Sequence, residues 1–178
     1  MSMNRVQLGP CEAAIRTAVD KDWFSREDDR RLTGYGKGEM GQLKATQHLL
    51  EALSVQDSEH KVVGIYQDGL PVGLFWLEYL GDQRKAVTMH CFICPESRGK
   101  WAFHLAGTEL LEKLFAEGVY RVEVEPLRIN KRLVKLLRHY GFKQEGIKRS
   151  SYWMDGNDYD TVMMRLLKRE WKKKKKEN

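Results

Sequence analysis

The stretch Ala86–Phe142, AVTMHCFICPESRGKWAFHLAGTELLEKLFAEGVYRVEVEPLRINKRLVKLLRHYGF, decides how this chain folds. Ala86–Ile93 is a strand run, and Cys94-Pro95 stops it. Pro95–Lys100 is a turn with two cations, Arg98 and Lys100, and one glycine, Gly99. Leu105, Leu110, Leu111, Leu114 and Phe115 then fall at helical spacing, and Gly118 ends that helix. Val119–Val124 is a second strand, closed by Pro126. Ile129, Leu133, Leu136, Leu137 and Tyr140 form the apolar stripe of a second helix, and Gly141 suits a left-handed position just past its end.

A helix that opens behind a basic turn presents unpaired backbone N–H groups and the positive end of its dipole. Both suit a phosphate or pyrophosphate. Arg98 and Lys100 add complementary charge. Asn130 stands at the mouth of the next helix, where asparagine is favoured as a cap.

The order strand, P-x-x-R-G-K, helix, strand, N-x(10)-G-F, then Gln144-Glu145-Gly146, resembles the GNAT acetyltransferases. The ending Asp160…Met164-x-Leu166-Leu167-x-x-Glu170-Trp171 is similar to the subgroup that includes the ribosomal-protein N-terminal acetyltransferases. The resemblance spans Val62 to Trp171. It implies an α+β fold, a mixed, mostly antiparallel central sheet flanked by helices, with acetyl-CoA as co-substrate. It implies that main-chain N–H groups near Phe92, Ile93 and Cys94 hold the thioester carbonyl. The turn and first helical residues, Arg98, Gly99, Lys100, Trp101, Ala102 and Phe103, then cradle the pyrophosphate, and Asn130 matches the family asparagine. The family turn reads Q/R-x-x-G-x-G/A; Arg98 fits, while Trp101 and Phe103 stand at the glycine positions. Position 137, where many members carry a tyrosine acid, is Leu137, and Tyr140 reads as core or rim.

Acetyl transfer to an amine needs a base, because an alkylammonium has a pKa near roughly 10. It also needs a donor for the developing oxyanion and a proton or donor for the leaving thiolate. His90 and Glu78 are the candidate bases, each weighed against a structural or solvated role. Glu123 and Glu125 are further candidates for holding an acceptor. The acceptor is a small amine or a protein N-terminus, attacked directly and without a covalent enzyme intermediate. The competing reading is a catalytically silent binding module of the same fold, motivated by Trp101, Phe103 and the missing tyrosine.

Composition bounds the rest. A chain of 178 residues with 42% hydrophobic content and five Trp fits one globular domain, 1–171, followed by a lysine-rich tail, 172–178. No apolar run suits a membrane span or a signal segment, so a cytoplasmic monomer or homodimer without metal is expected. Cys91 and Cys94 form a C-x-x-C at a strand end, read as buried strand cysteines. The block Lys172–Lys176 in a chain of net charge +6 is a solvated tail, or a handle for nucleic acid or the ribosome.

Upstream, Val6-Gln7-Leu8 reads as a short strand and Cys11–Val19 as a helix. Gly34–Gly41 reads as a mobile glycine loop, which the resemblance places near an acceptor. Gln42–Leu53 reads as an amphipathic helix with Leu43, Leu49, Leu50 and Leu53 near one face. Lys61–Tyr66 and Val72–Leu80 read as strands around an Asp68-Gly69 turn, running as an antiparallel meander into Ala86–Ile93. Ser150–Met154 and Thr161–Leu166 flank a hairpin signal at Asp155-Gly156.

Overall fold

The computed structural model describes residues 5–26, 30, 34–54, 59–81, 83, 85–98 and 101–177. Seven strands form one sheet: β1 (Val6–Gly9), β2 (His60–Gln67), β3 (Leu70–Leu80), β4 (Ala86–Ile93), β5 (Arg121–Val124), β6 (Lys143–Met154) and β7 (Asn157–Leu167). Their order across the sheet is β1-β2-β3-β4-β5-β7-β6. Every neighbouring pair is antiparallel except β4 and β5. That parallel step is possible because α3 (Trp101–Ala116) carries the chain back between them. Among the described residues the other α-helices are α1 (Glu12–Asp20), α2 (Gly38–Ser54), α4 (Lys131–Tyr140) and α5 (Lys168–Glu177).

Side chains alternate along β3, so neighbours on it show which helix covers which face. The Phe75 ring lies 6.0 Å from Phe103 of α3, while the Trp76 ring lies 4.5 Å from His48 of α2. Hence α3 covers one face and α2 the other. Tyr140 of α4 joins α3: its hydroxyl donates to the carbonyls of His104 at 2.9 Å and Phe103 at 3.4 Å. Gly107 leaves room for this phenol, since a Cβ there would sit 3.1 Å from the Tyr140 oxygen. Phe75, Leu74, Leu110, Leu137 and Met164 are among the fully buried side chains. Truncating one such leucine to alanine costs about 2–5 kcal/mol.

The turn chemistry follows the sequence. Asp68-Gly69 and Asp155-Gly156 both take positive φ, the pairing a two-residue hairpin needs. Gly141 closes α4 in the left-handed region at φ 94°. Leu49 of α2 and Leu110, Leu111, Leu114 and Phe115 of α3 are buried as their spacing predicts. Leu43, Leu50 and Leu105 are exposed, and Ala45 and Ala106 are buried in their place. Small residues let α2 and α3 lie close to the sheet, so alanine marks the contact face as much as leucine does. Helix α2 also starts earlier than expected, at Gly38, and takes Gly41 into its first turns. The lysine block lies in helix α5, anchored by the buried Trp171 and by Lys143 Nζ, 2.6 Å from Glu170 Oε1. No helix of the described residues is long and apolar enough to cross a membrane.

Candidate active site

The site begins where β4 loses a neighbour. Its ladder with β3 runs unbroken from Leu80↔Ala86 to Gly73↔Ile93. Its ladder with β5 stops at Thr88↔Glu123, and the end of β5 stays with β7. Met89–Ile93 therefore faces a wedge-shaped gap on one edge. Antiparallel alternation says which groups face it. The Cys94 N–H donates to the Val72 carbonyl at 2.8 Å, so Cys94 and, two residues back, Phe92 are bonded toward β3. Cys91 and Ile93 turn their main-chain groups to the gap. The Ile93 carbonyl there accepts from Arg98 Nε at 2.9 Å.

This sorts the residues expected to hold a thioester carbonyl. Only Ile93 of the three has its N–H on the open edge. Phe92 and Cys94 are corrected on this point, because their N–H groups belong to the β3 ladder. Phe92 contributes its ring to the opposite, α2-covered face. The Arg98 guanidinium reaches the carbonyls of Ile93 and Trp23, the latter at 3.4 Å, and ties the segment after α1 to the end of β4. Asn130 is a cap, its Oδ1 accepting the Leu133 N–H at 3.2 Å. Phe103 turns inward between Phe75 and Tyr140, leaving the first turn of α3 to present its backbone. Gly99 and Lys100 lie outside the described residues, as do the side chains of Trp101 and Ala102.

On the α2-covered face, β3 and β4 bring the two candidate bases together. His90 Nε2 lies 3.6 Å from Glu78 Oε1, both side chains nearly half exposed. The His90 imidazole holds the Glu78 carboxyl below its usual range, against burial that raises it. The tautomer with Nε2–H toward Glu78 leaves the Nδ1 lone pair of His90 for a proton.

Sequence reasoning missed the wall beside this pair. Tyr35 and His48 meet at 2.6 Å, hydroxyl to Nδ1. Tyr35, Phe24 and His48 surround the Phe92 ring at centroid distances of 6.2, 5.6 and 6.1 Å. Burial lowers the pKa of His48, and the neighbouring His90 lowers it further, so His48 is neutral near pH 7. Burial raises the Tyr35 phenol. Beneath them the Trp76 indole N–H is buried and without a hydrogen-bond partner among the described residues. The partners of this wall come from α2, β3, β4 and the segment after α1, far apart in sequence. The only available signal was a histidine inside the α2 pattern.

Gly34–Gly38 is a docked strap rather than a mobile loop. The Tyr152 hydroxyl donates to the Gly34 carbonyl at 2.8 Å, and Asp155 Oδ1 accepts the Lys37 N–H at 2.9 Å. A Cβ at Gly34 or Gly36 would collide with Tyr152 or Asp155 at 2.8 and 2.6 Å, so glycine is what lets the β6–β7 hairpin approach. Glu123 and Glu125 serve ion pairs, Glu123 with Arg121 at 2.5 Å and Glu125 with Lys148 at 2.7 Å. Cys91 and Cys94 are free thiols, and burial pushes Cys91 well up. No metal-binding cluster occurs among the described residues.

The arrangement of the sheet and its helices is shared with solved structures. A probable GNAT-family acetyltransferase from Chromobacterium violaceum superposes with a TM-score of 0.78 at 22% identity, covering 97% of this chain and 87% of that one. The chain has the GNAT fold. RimL, a ribosomal L7/L12 alpha-N-protein acetyltransferase solved with coenzyme A, superposes on this GNAT sheet with a TM-score of 0.72 at 13% identity, covering 93% and 95%. In sequence, a Bacillus subtilis protein named "Putative ribosomal N-acetyltransferase YdaF" is 28% identical over 113 residues. That match covers 63% of this chain and 62% of the relative's length. No family model matches the sequence.

Proposed function

We propose that this chain is an acetyl-CoA-dependent N-acetyltransferase acting on a primary amine at a protein N-terminus. The observation that carries the reading is the open edge of β4: a main-chain N–H at Ile93, unclaimed by either neighbouring strand, beside a pair of proton-accepting side chains. The residues present fit acetyl-CoA. The wedge takes a slender chain, the first turn of α3 offers N–H groups to a pyrophosphate, and the Phe103 ring is folded into the core. Gly99 and Lys100 complete that cradle in this reading, with Asn130 shaping the mouth of α4.

Bound acetyl-CoA supplies an activated acyl carbonyl. The Ile93 N–H, with Cys91 N–H behind it, points at the place where negative charge develops on that carbonyl oxygen. His90 Nδ1 takes the proton of the attacking amine, and Glu78 holds the ring and stabilises the imidazolium. Leu137 is buried and the Tyr140 hydroxyl is committed to α3, so the leaving thiolate takes its proton from solvent.

Coenzyme A release in the presence of acetyl-CoA and N-terminal peptides tests the reading. His90→Gln is expected to lower kcat about 100-fold or more, and Glu78→Gln by less. Full activity in both variants removes them as the base. The protein-terminus acceptor draws support from the names of the relatives above, and nucleic-acid or ribosome contact through α5 rests on charge alone.

A further inference from the structure

A cleft of about 410 Å³ lies between the strap and the β6–β7 hairpin. Its inner wall is Tyr35 and His48, the same pair that stands beside Phe92, so it lies next to the end of β4. Its outer wall is Tyr152 and Trp153. Trp153 is 72% exposed, the most exposed large hydrophobic side chain of the described residues. An indole left in water beside a concave aromatic surface is poor for stability alone, and it is a common anchor for a bound apolar group.

The charges around the cleft are uneven. Asp155 is engaged by the Lys37 N–H, Glu78 by His90, and Glu51 by the Gln47 amide at 3.3 Å. Lys44 lines the cleft and has no ion-pair partner among the described residues. A polycation entering here meets a like charge and carboxylates that already have partners. An acceptor with an apolar side chain beside its amine, and a carboxylate farther out, meets an aromatic wall and an ammonium group.

We propose that this cleft selects the acceptor: it seats an apolar or aromatic side chain next to the acceptor amine against Tyr152 and Trp153, and draws a following acidic residue to Lys44. Peptides of that kind are therefore acetylated in preference to polyamines. The inference rests on the transferase reading above and specifies its substrate class.

The test uses the full chain with acetyl-CoA and three kinds of amine. These are peptides differing only in phenylalanine or glycine beside the cleft, the same peptides with aspartate or lysine one position farther on, and spermidine. The phenylalanine–aspartate peptide is expected to have the highest kcat/KM, about 10-fold or more above its glycine counterpart. Trp153→Ala removes that advantage through KM, and Lys44→Glu reverses the preference between aspartate and lysine. Spermidine as the preferred amine, or a phenylalanine advantage that survives Trp153→Ala in folded protein, overturns the inference while leaving acetyl transfer intact. Calorimetry separates the remaining case. Peptide binding that tracks phenylalanine and Trp153 without coenzyme A release supports the cleft and refutes the transfer step. Peptide binding indifferent to both residues overturns the cleft.

Discussion

The two edges of β4 are built from the same residues and do opposite things. Toward β3, eight pairs run without a break and every alternate N–H finds a carbonyl. Toward β5, three pairs form and the strand then runs on alone. A buried main-chain N–H with no partner costs about 1–3 kcal/mol, so an open edge beside a closed one is a cost the fold carries. The difference teaches where to look for function. The closed edge is scaffold, and the open edge is where a ligand can complete the hydrogen bonding.

Proline at neighbouring positions breaks the comparison most sharply. Ile93→Pro removes an N–H from the open edge only. Transfer is expected to fall about 100-fold or more while cooperative unfolding and the β3–β4 ladder persist. Cys94→Pro removes an N–H from the closed edge at a residue whose φ of −57° already suits proline. It is expected to cost about 1–3 kcal/mol in denaturant unfolding, with turnover affected far less than in Ile93→Pro. Equal effects of the two prolines on turnover would erase the distinction between the edges.

Tyr140→Phe probes the frame around the gap. It deletes the bonds from α4 to the first turn of α3 and is expected to cost about 1 kcal/mol, with a small rise in the KM for acetyl-CoA. The smallest effect concerns pH. His48 is held neutral by burial, with its folded pKa below the ordinary 6.5. The unfolded chain therefore binds the extra proton between those two values. Stability is full above pH 6.5, declines as pH falls toward the lower folded pKa, and the slope is expected to flatten in His48→Gln. Glu78, whose folded pKa is also lowered, adds a second decline only below its ordinary 4.5.

The element order was legible because each segment of Ala86–Phe142 carries its own punctuation: Pro95 after β4, Gly118 after α3, Pro126 after β5 and Gly141 after α4. Asp68-Gly69 and Asp155-Gly156 fixed two hairpins for the same reason. Strand β6 was read too short. It is an edge strand, exposed along nearly all of Lys143–Met154, so charge replaces the alternation that marks a half-buried strand. The candidate bases His90 and Glu78 were readable as chemistry, and only the β3–β4 register shows that they meet. Tyr35, His48 and Trp153 were not readable as a group. Their meeting depends on the strap docking against the β6–β7 hairpin, a contact between residues more than a hundred positions apart. Arg98 was readable as a cation, and only the structure shows that it also bonds the carbonyls of Ile93 and Trp23.

In the proposed reading, the open edge of β4 and the first turn of α3 form a seat for acetyl-CoA. Calorimetric titration of the purified chain with acetyl-CoA tests it most directly. One saturable site with a Kd on the order of micromolar is expected, weakened by Ile93→Pro and unchanged by Trp153→Ala. An absence of binding at millimolar acetyl-CoA, in protein that unfolds cooperatively, would contradict it.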